Sequence, residues 1–219
     1  MRLSDFEAVI YDMDGVLIDS EPLWKIAMEK AFESVGCPLK KKDFEKTVGL
    51  RIDEVINYWY SVSPWEDVSP KEVENRIIEG LIELILENGE PLTGVEESLQ
   101  YFKNKGLKIG LGTSSYTRLI EVVLEKLNLK QYFDFTHSAE NEDYGKPHPQ
   151  VYLTVAEKLG VSPLKCLVIE DSFTGLLAAK SARMYAVVVP EKTHAPNKKL
   201  IIADEEHDNL LDFIQSIEA

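Results

Sequence analysis

Residues Ala8–Tyr11 are apolar without alternation, the pattern of a strand covered by helices on both faces. The run stops abruptly at Asp12-Met-Asp14-Gly15. From Ser20 the period changes, and Leu23, Ile26, Ala27, Ala31, Phe32 and Val35 recur at helical spacing until Gly36 ends the segment. The same spacing returns over 43–48, 52–60 and 71–86, punctuated by Pro38, Gly49, Pro64 and Pro70, with no strand pattern between. Residues 20–86 therefore read as an all-α insertion. Its aromatic group Tyr58, Trp59, Tyr60 and Trp65 reads first as helical core, because aromatics at this spacing usually pack inward.

After Pro91 helical and strand patterns alternate. A helix over 95–104, ended by Gly106, precedes a strand over 108–113; a helix over 117–127 precedes a short strand around 133–137. Further on, a helix over 148–159 precedes a strand at 166–170, and a helix over 174–182 precedes a strand at 185–190. Alternation of this kind predicts an α/β protein with a Rossmann-like parallel sheet of about five strands and helices on both faces. The core domain is then discontinuous, made of residues 1–19 and 87–219, with 20–86 inserted. Residues 192–199 are polar and read as a surface loop.

Composition narrows the partners. With 44% hydrophobic and 28% charged residues the 219-residue chain is an ordinary globular protein, and its formal net charge of -14 repels nucleic acid and anionic membrane. The opening residues lack the apolar stretch of a signal peptide, and no run approaches membrane-spanning length, so a cytoplasmic protein without a membrane partner is expected. Cys37 and Cys166 lie far apart and fit no metal spacing, so no disulfide is expected. No long apolar stripe is left over once the two domains are assembled, which predicts a monomer.

The candidate chemistry sits where strands end. Carboxylates at the C-terminal end of a buried strand face the place where open α/β sheets bind ligands, so Asp12 and Asp14 point to a site, and Gly15 permits a sharp turn with amides free to meet an anion. A plain turn is the alternative; an EF-hand loop is excluded, because Val16 and Leu17 occupy its fifth and sixth positions. Thr113, Ser114 and Ser115 end a later strand at a helix start, where hydroxyls and amides hold phosphate or simply cap the helix. Lys146 precedes Pro147 and is either aimed at the sheet edge or a surface charge. Glu170 and Asp171 repeat the opening design. Acids gathered from neighbouring strands repel unless a cation shares them, and Mg2+, with its taste for oxygen ligands and phosphate, answers that need.

These residues resemble the four ordered motifs of the haloacid dehalogenase superfamily, in its phosphatase branch with an α-helical cap: Asp12-Met-Asp14-Gly15-Val-Leu, Thr113-Ser114, Lys146-Pro147 and Glu170-Asp171-Ser172. More narrowly, Asp19-Ser20-Glu21-Pro22-Leu23-Trp24, the stretch 48–55, Trp59-Tyr60, Pro64-Trp65 and the stretch 146–152 resemble the bacterial 2-deoxyglucose-6-phosphate and hexitol phosphatases. The resemblance implies a magnesium-dependent phosphatase acting on a small phosphorylated metabolite, a sugar or sugar-alcohol monophosphate. It implies Asp12 as nucleophile and Asp14 as acid/base; Thr113, Ser114 and Lys146 as phosphoryl ligands; and Asp12, Asp171 and the Asp14 carbonyl on the metal, with Glu170 behind through water. Trp24, Arg51, Trp59 and Trp65 become candidates for specificity. A β-phosphoglucomutase is the nearest rival, weakened because such mutases carry histidine where Trp24 stands and arginine one residue after Arg51. A non-catalytic phospho-ligand binder is the rival from another class, and it gains little from so many acids around an anion.

Overall fold

The computed structural model describes residues 1–44, 46–47, 50–190 and 198–218. Its first strand, β1 (Ala8–Tyr11), is buried at all four positions. Four helices follow: α1 (Glu21–Ser34), α2 (Lys41–Phe44), α3 (Ile52–Val62) and α4 (Pro70–Asn88). The chain then alternates through α5 (Val95–Asn104), β2 (Lys108–Thr113), α6 (Thr117–Lys126), β3 (Phe135–Ser138), α7 (Gln150–Leu159), β4 (Cys166–Glu170), α8 (Phe173–Ser181) and β5 (Tyr185–Val188). It ends with β6 (Glu205–Glu206) and α9 (Leu210–Glu218).

Among the described residues the strands form one parallel sheet in the order β3-β2-β1-β4-β5-β6. The chain winds outward from β1 in one direction and then in the other, so the reversal falls between β1 and β4, where doubly wound sheets open a crevice at their C-terminal edge. Side chains alternate across the sheet: Val9 and Tyr11 join a core with α5, α6 and α9, whereas Ala8 and Ile10 join one with α7 and α8. Both faces are covered, which is why β1 shows no hydrophobic alternation in sequence. Each large apolar side chain buried this way contributes about 1.5–3 kcal/mol.

The helices between β1 and α5 present their apolar faces to one another. Leu23, Ala27 and Phe32 of α1, Val55, Ile56 and Trp59 of α3, and Val73, Ile77 and Leu81 of α4 are buried in a cluster continuous with one face of the sheet. Ser69 caps α4 by accepting the Glu72 amide at 3.1 Å, with Pro70 in the first turn, while Glu54 returns to the Arg51 amide at 2.9 Å to cap α3. The two chain crossings that join this segment to the sheet run side by side, Ile18 bridging Pro91 and the Leu92 amide donating to Leu17 O at 3.1 Å.

Several expectations shift. A sixth strand, β6, extends the sheet beyond the five read from pattern; two glutamates carry no strand signature, and they pair because β5 offers them a free edge. The strand expected at 133–137 runs Phe135–Ser138, since Asp134 is held at the strand's entry, its carboxylate accepting the Ile109 amide at 2.8 Å. The helix expected at 43–48 is the short α2; Glu45, Val48 and Gly49 lie outside the described residues, as do Glu191 and residues 192–197 of the polar loop, whose last two residues open a 3-10 turn over Lys198–Ile202. Both cysteines are buried and free. Among the described residues no helix is long and apolar enough to cross a membrane.

Candidate active site

The register of β1 with β4, Tyr11 opposite Ile169, puts the next residues, Asp12 and Glu170, side by side at the crevice. The Asp12 amide still donates to Ile169 O at 3.0 Å, so the ladder reaches the acid itself. Lys146 enters from the loop before α7 and sets its ammonium between them, 2.9 Å from Asp12 Oδ1 and 2.7 Å from Glu170 Oε1, with only 4% of its side chain exposed. Two buried carboxylates thus share one buried cation. Burial drives the lysine pKa down, but the two acids outweigh it and hold it above its ordinary value.

Glu170 is saturated. Its Oε1 accepts from Lys146 Nζ and, at 2.5 Å, from Tyr152 OH; its Oε2 accepts the amides of Asp171 and Ser172 and the Ser172 hydroxyl at 3.1–3.2 Å. Five donors meet a group with about four lone-pair sites, so nothing remains for direct metal coordination. Burial alone would raise its pKa, and Lys146 brings it below the usual carboxylate value. Gly175 of α8 makes room for this carboxylate, since a Cβ there would fall 1.7 Å from Glu170 Oε1.

Asp12 is the opposite case. Its Oδ1 is buried and meets the Lys146 ammonium at 2.9 Å, and among the described residues no amide or hydroxyl donates to it. Burial pushes the Asp12 carboxyl up, Lys146 opposes, and the charge of Glu170 adds to the rise, leaving it at about 7. Carboxylate oxygens of Asp12, Glu170 and Asp171 lie within 4.8 Å of one another. Gly15, at φ +74°, brings Asp171 into that group: a Cβ at residue 15 would meet Asp171 Oδ2 at 2.2 Å. Because Glu170 is already saturated, a hard cation at this cluster could be held by Asp12 and Asp171, with Glu170 behind them.

The Asp14 carboxylate belongs to a different cluster and faces the helical segment. Ser20 Oγ donates to Oδ1 at 2.5 Å, Trp24 Nε1 to the same oxygen at 3.0 Å, and Ser115 Oγ to Oδ2 at 2.6 Å. With both carboxylate oxygens engaged, only its main-chain carbonyl could serve a cation. Thr113 and half-buried Ser114 close β2 one strand over; the Thr113 hydroxyl accepts the Ser115 amide at 3.2 Å. Past a strand end the alternation of sides breaks down, so sequence could not sort Ser115, which reaches Asp14, from Ser114.

Other candidates separate. Trp59 and Trp65 are buried, and Trp65 stacks edge-on with Phe32 and Tyr60, which is core packing. Trp24 stays at the site, and Arg51 is directed at the loop 139–145 rather than at the carboxylates. Tyr152 and Gly175 were missed by sequence reasoning: the tyrosine lies on the apolar face of α7, and the one signal for the glycine was its place inside a helix, where close approach is the usual reason.

Comparison with known proteins finds relatives over most of the chain. A sequence profile of the haloacid dehalogenase-like hydrolases matches residues 9–189. The chain is 43% identical over 198 residues to hexitol phosphatase B of Escherichia coli (strain K12), covering 90% of this chain and 89% of that protein. It is 37% identical over 185 residues to a phosphorylated carbohydrates phosphatase of Thermotoga maritima, covering 83% and 85%. The crystal structure of a β-phosphoglucomutase from Clostridium difficile superposes with a TM-score of 0.82 at 29% identity, covering 97% of this chain and 96% of that one.

Proposed function

The chain belongs to the haloacid dehalogenase-like hydrolases, and from that premise we propose that it is a phosphoric monoester hydrolase that releases inorganic phosphate from sugar or sugar-alcohol monophosphates through a phosphorylated Asp12. The observation that carries the residue assignments is the buried Asp12 carboxylate at the sheet edge, engaged by the Lys146 ammonium at 2.9 Å and by no amide or hydroxyl among the described residues. A carboxylate oxygen attacks phosphorus, the bond to the sugar oxygen breaks, and Asp14 supplies the proton to that leaving oxygen. In the second half Asp14 takes a proton from water, the water oxygen attacks phosphorus, and Asp12 is regenerated. Ser20, Trp24 and Ser115 keep the Asp14 carboxylate oriented for both transfers.

Lys146 keeps Asp12 ionised enough to attack and lends positive charge to the phosphoryl oxygens, with Thr113 and Ser114 beside it. Magnesium would be held by Asp12, Asp171 and the Asp14 carbonyl and would supply charge neutralisation and Lewis acidity there. The helical segment, residues 20–86, acts as a cap over the core of residues 1–19 and 87–219, and Trp24 meets the leaving group from it. The acidic chain acts in the cytoplasm as a monomer on a small metabolite, without nucleic-acid or membrane partners.

Activity disappears when chelator strips the protein of divalent metal and returns with magnesium. Undiminished hydrolysis in a sample shown by metal analysis to hold none would reject the metal assignment. The reaction itself is read by phosphorus NMR on hexose, deoxyhexose and hexitol monophosphates, with β-glucose 1-phosphate and a trace of bisphosphate as the mutase control. Inorganic phosphate is the expected product. Glucose 6-phosphate accumulating faster than inorganic phosphate would make the protein a mutase.

A further inference from the structure

We propose that Arg51 is a positioning residue for Lys146, clasping the helical segment onto the loop that carries the lysine. One edge of its guanidinium is gripped by Asp53 of α3, Nε to Oδ1 at 3.1 Å and Nη2 to Oδ2 at 2.9 Å. This fork fixes the plane of the group, and the remaining nitrogen faces away from the helix. Nη1 donates across to the carbonyls of Ala139 at 3.3 Å and Glu142 at 3.2 Å, on the 3-10 turn that leads to Lys146. With these four contacts made, the guanidinium has too few free N–H groups to grip an anion in bidentate fashion.

The arginine stem tightens the link. It crosses Gly145, the residue before Lys146, where a Cβ would lie 2.7 Å from Arg51 Cδ and 2.8 Å from Cγ. The loop is braced from the core side: the Glu142 carboxylate accepts from Thr154 Oγ1 at 2.8 Å and pairs with His137 Nε2 at 2.7 Å, and the Glu140 carboxylate accepts the Thr117 amide at 2.7 Å. Arg51 adds the brace from the helical side. Only 17% of its side chain is exposed, so water weakens these contacts little.

The consequence concerns Lys146, whose ammonium must reach Asp12 and Glu170 at once. A loop displaced by about 1 Å loses that geometry, an error of the size that costs about 100-fold in rate. Seating of the helical segment and placement of the lysine are therefore one event, and a chain in which Arg51 is committed this way has withdrawn that cation from a second substrate phosphate. The kinetic part rests on the phosphatase reading; the structural part does not.

The test uses Arg51→Ala, Gly145→Ala and their combination in the full chain. Hydrogen exchange of residues 139–147, followed by mass spectrometry without metal or substrate, is expected to quicken in each variant while β1 and β4 keep their protection. With magnesium and a sugar monophosphate that the parent hydrolyses, kcat should fall about 10- to 100-fold with KM changed less than about threefold, and the double variant should be no worse than the more severe single one. Unchanged exchange in 139–147, or a raised KM at constant kcat as for a substrate-binding cation, overturns the proposal. Should Arg51→Ala fail to fold, Arg51→Lys, which keeps charge and stem but not the fork, must show the same quickened exchange. A parent with no phosphatase activity would refute the function above and leave the clasp to stand or fall on exchange alone.

Discussion

Asp12→Asn should lower phosphate release by about 10⁴-fold or more while leaving the fold intact, because an amide cannot accept the phosphoryl group that the proposed mechanism puts on this carboxylate. The structure adds a second expectation. Burial disfavours the ionised Asp12 carboxyl more than Lys146 favours it, the charge of Glu170 adds to the rise, and Lys146 keeps Glu170 as a partner when the Asp12 charge is removed. The metal-free variant should therefore melt no lower than the metal-free parent at neutral pH. The sign follows from linkage: an acid whose pKa rises on folding takes stability away as pH climbs from its ordinary value through the raised one, here about 7, and asparagine removes that loss. Calorimetry with a phosphate-release assay checks both halves. Parent-like turnover, after mass spectrometry has excluded deamidation, removes Asp12 as nucleophile.

Lys146→Met should be lost on both counts. It leaves Asp12 and fully buried Glu170 facing each other without a cation, and breaking a buried pair by removing one partner costs about 3–5 kcal/mol. In a chain of this size that lowers the melting temperature by about 10 °C. Turnover should fall as well, by about 10³-fold, if Lys146 lends its charge to the phosphoryl oxygens as proposed. Adding Glu170→Gln separates the two effects: it removes one of the stranded charges and should recover part of the stability, with none of the activity. Denaturant unfolding of the single and double variants measures this. A single variant as stable as the parent would show that the lysine does not balance these acids.

Much of the site was legible because strand ends announce themselves. An apolar run that stops at an acid is costly unless the acid faces a site, and this chain does it at Tyr11–Asp12 and again at Ile169–Glu170. Which strands lie together was not legible, because a run of apolar residues buried on both faces carries no mark of its neighbour. The division between Glu170, which turns inward to saturation, and Asp171 came from the family resemblance and not from the two residues' own pattern, as adjacent acids look alike until amides, a tyrosine and a lysine claim one of them.

By itself the sequence determined the order of elements from β1 to β5, the helical run after β1, the acids that end β1 and β4, and the glycine turn at residue 15, all of which rest on periodicity and local backbone freedom. Tertiary structure decided the rest. The register of β1 against β4 put Asp12 beside Glu170, the approach of α7 carried Tyr152 to that carboxylate, β5 recruited two glutamates as a sixth strand, and Arg51 found its carbonyls 88 and 91 residues away. Each of these depends on contacts between segments distant in the chain, whose free energy exists only once the sheet has brought them within reach.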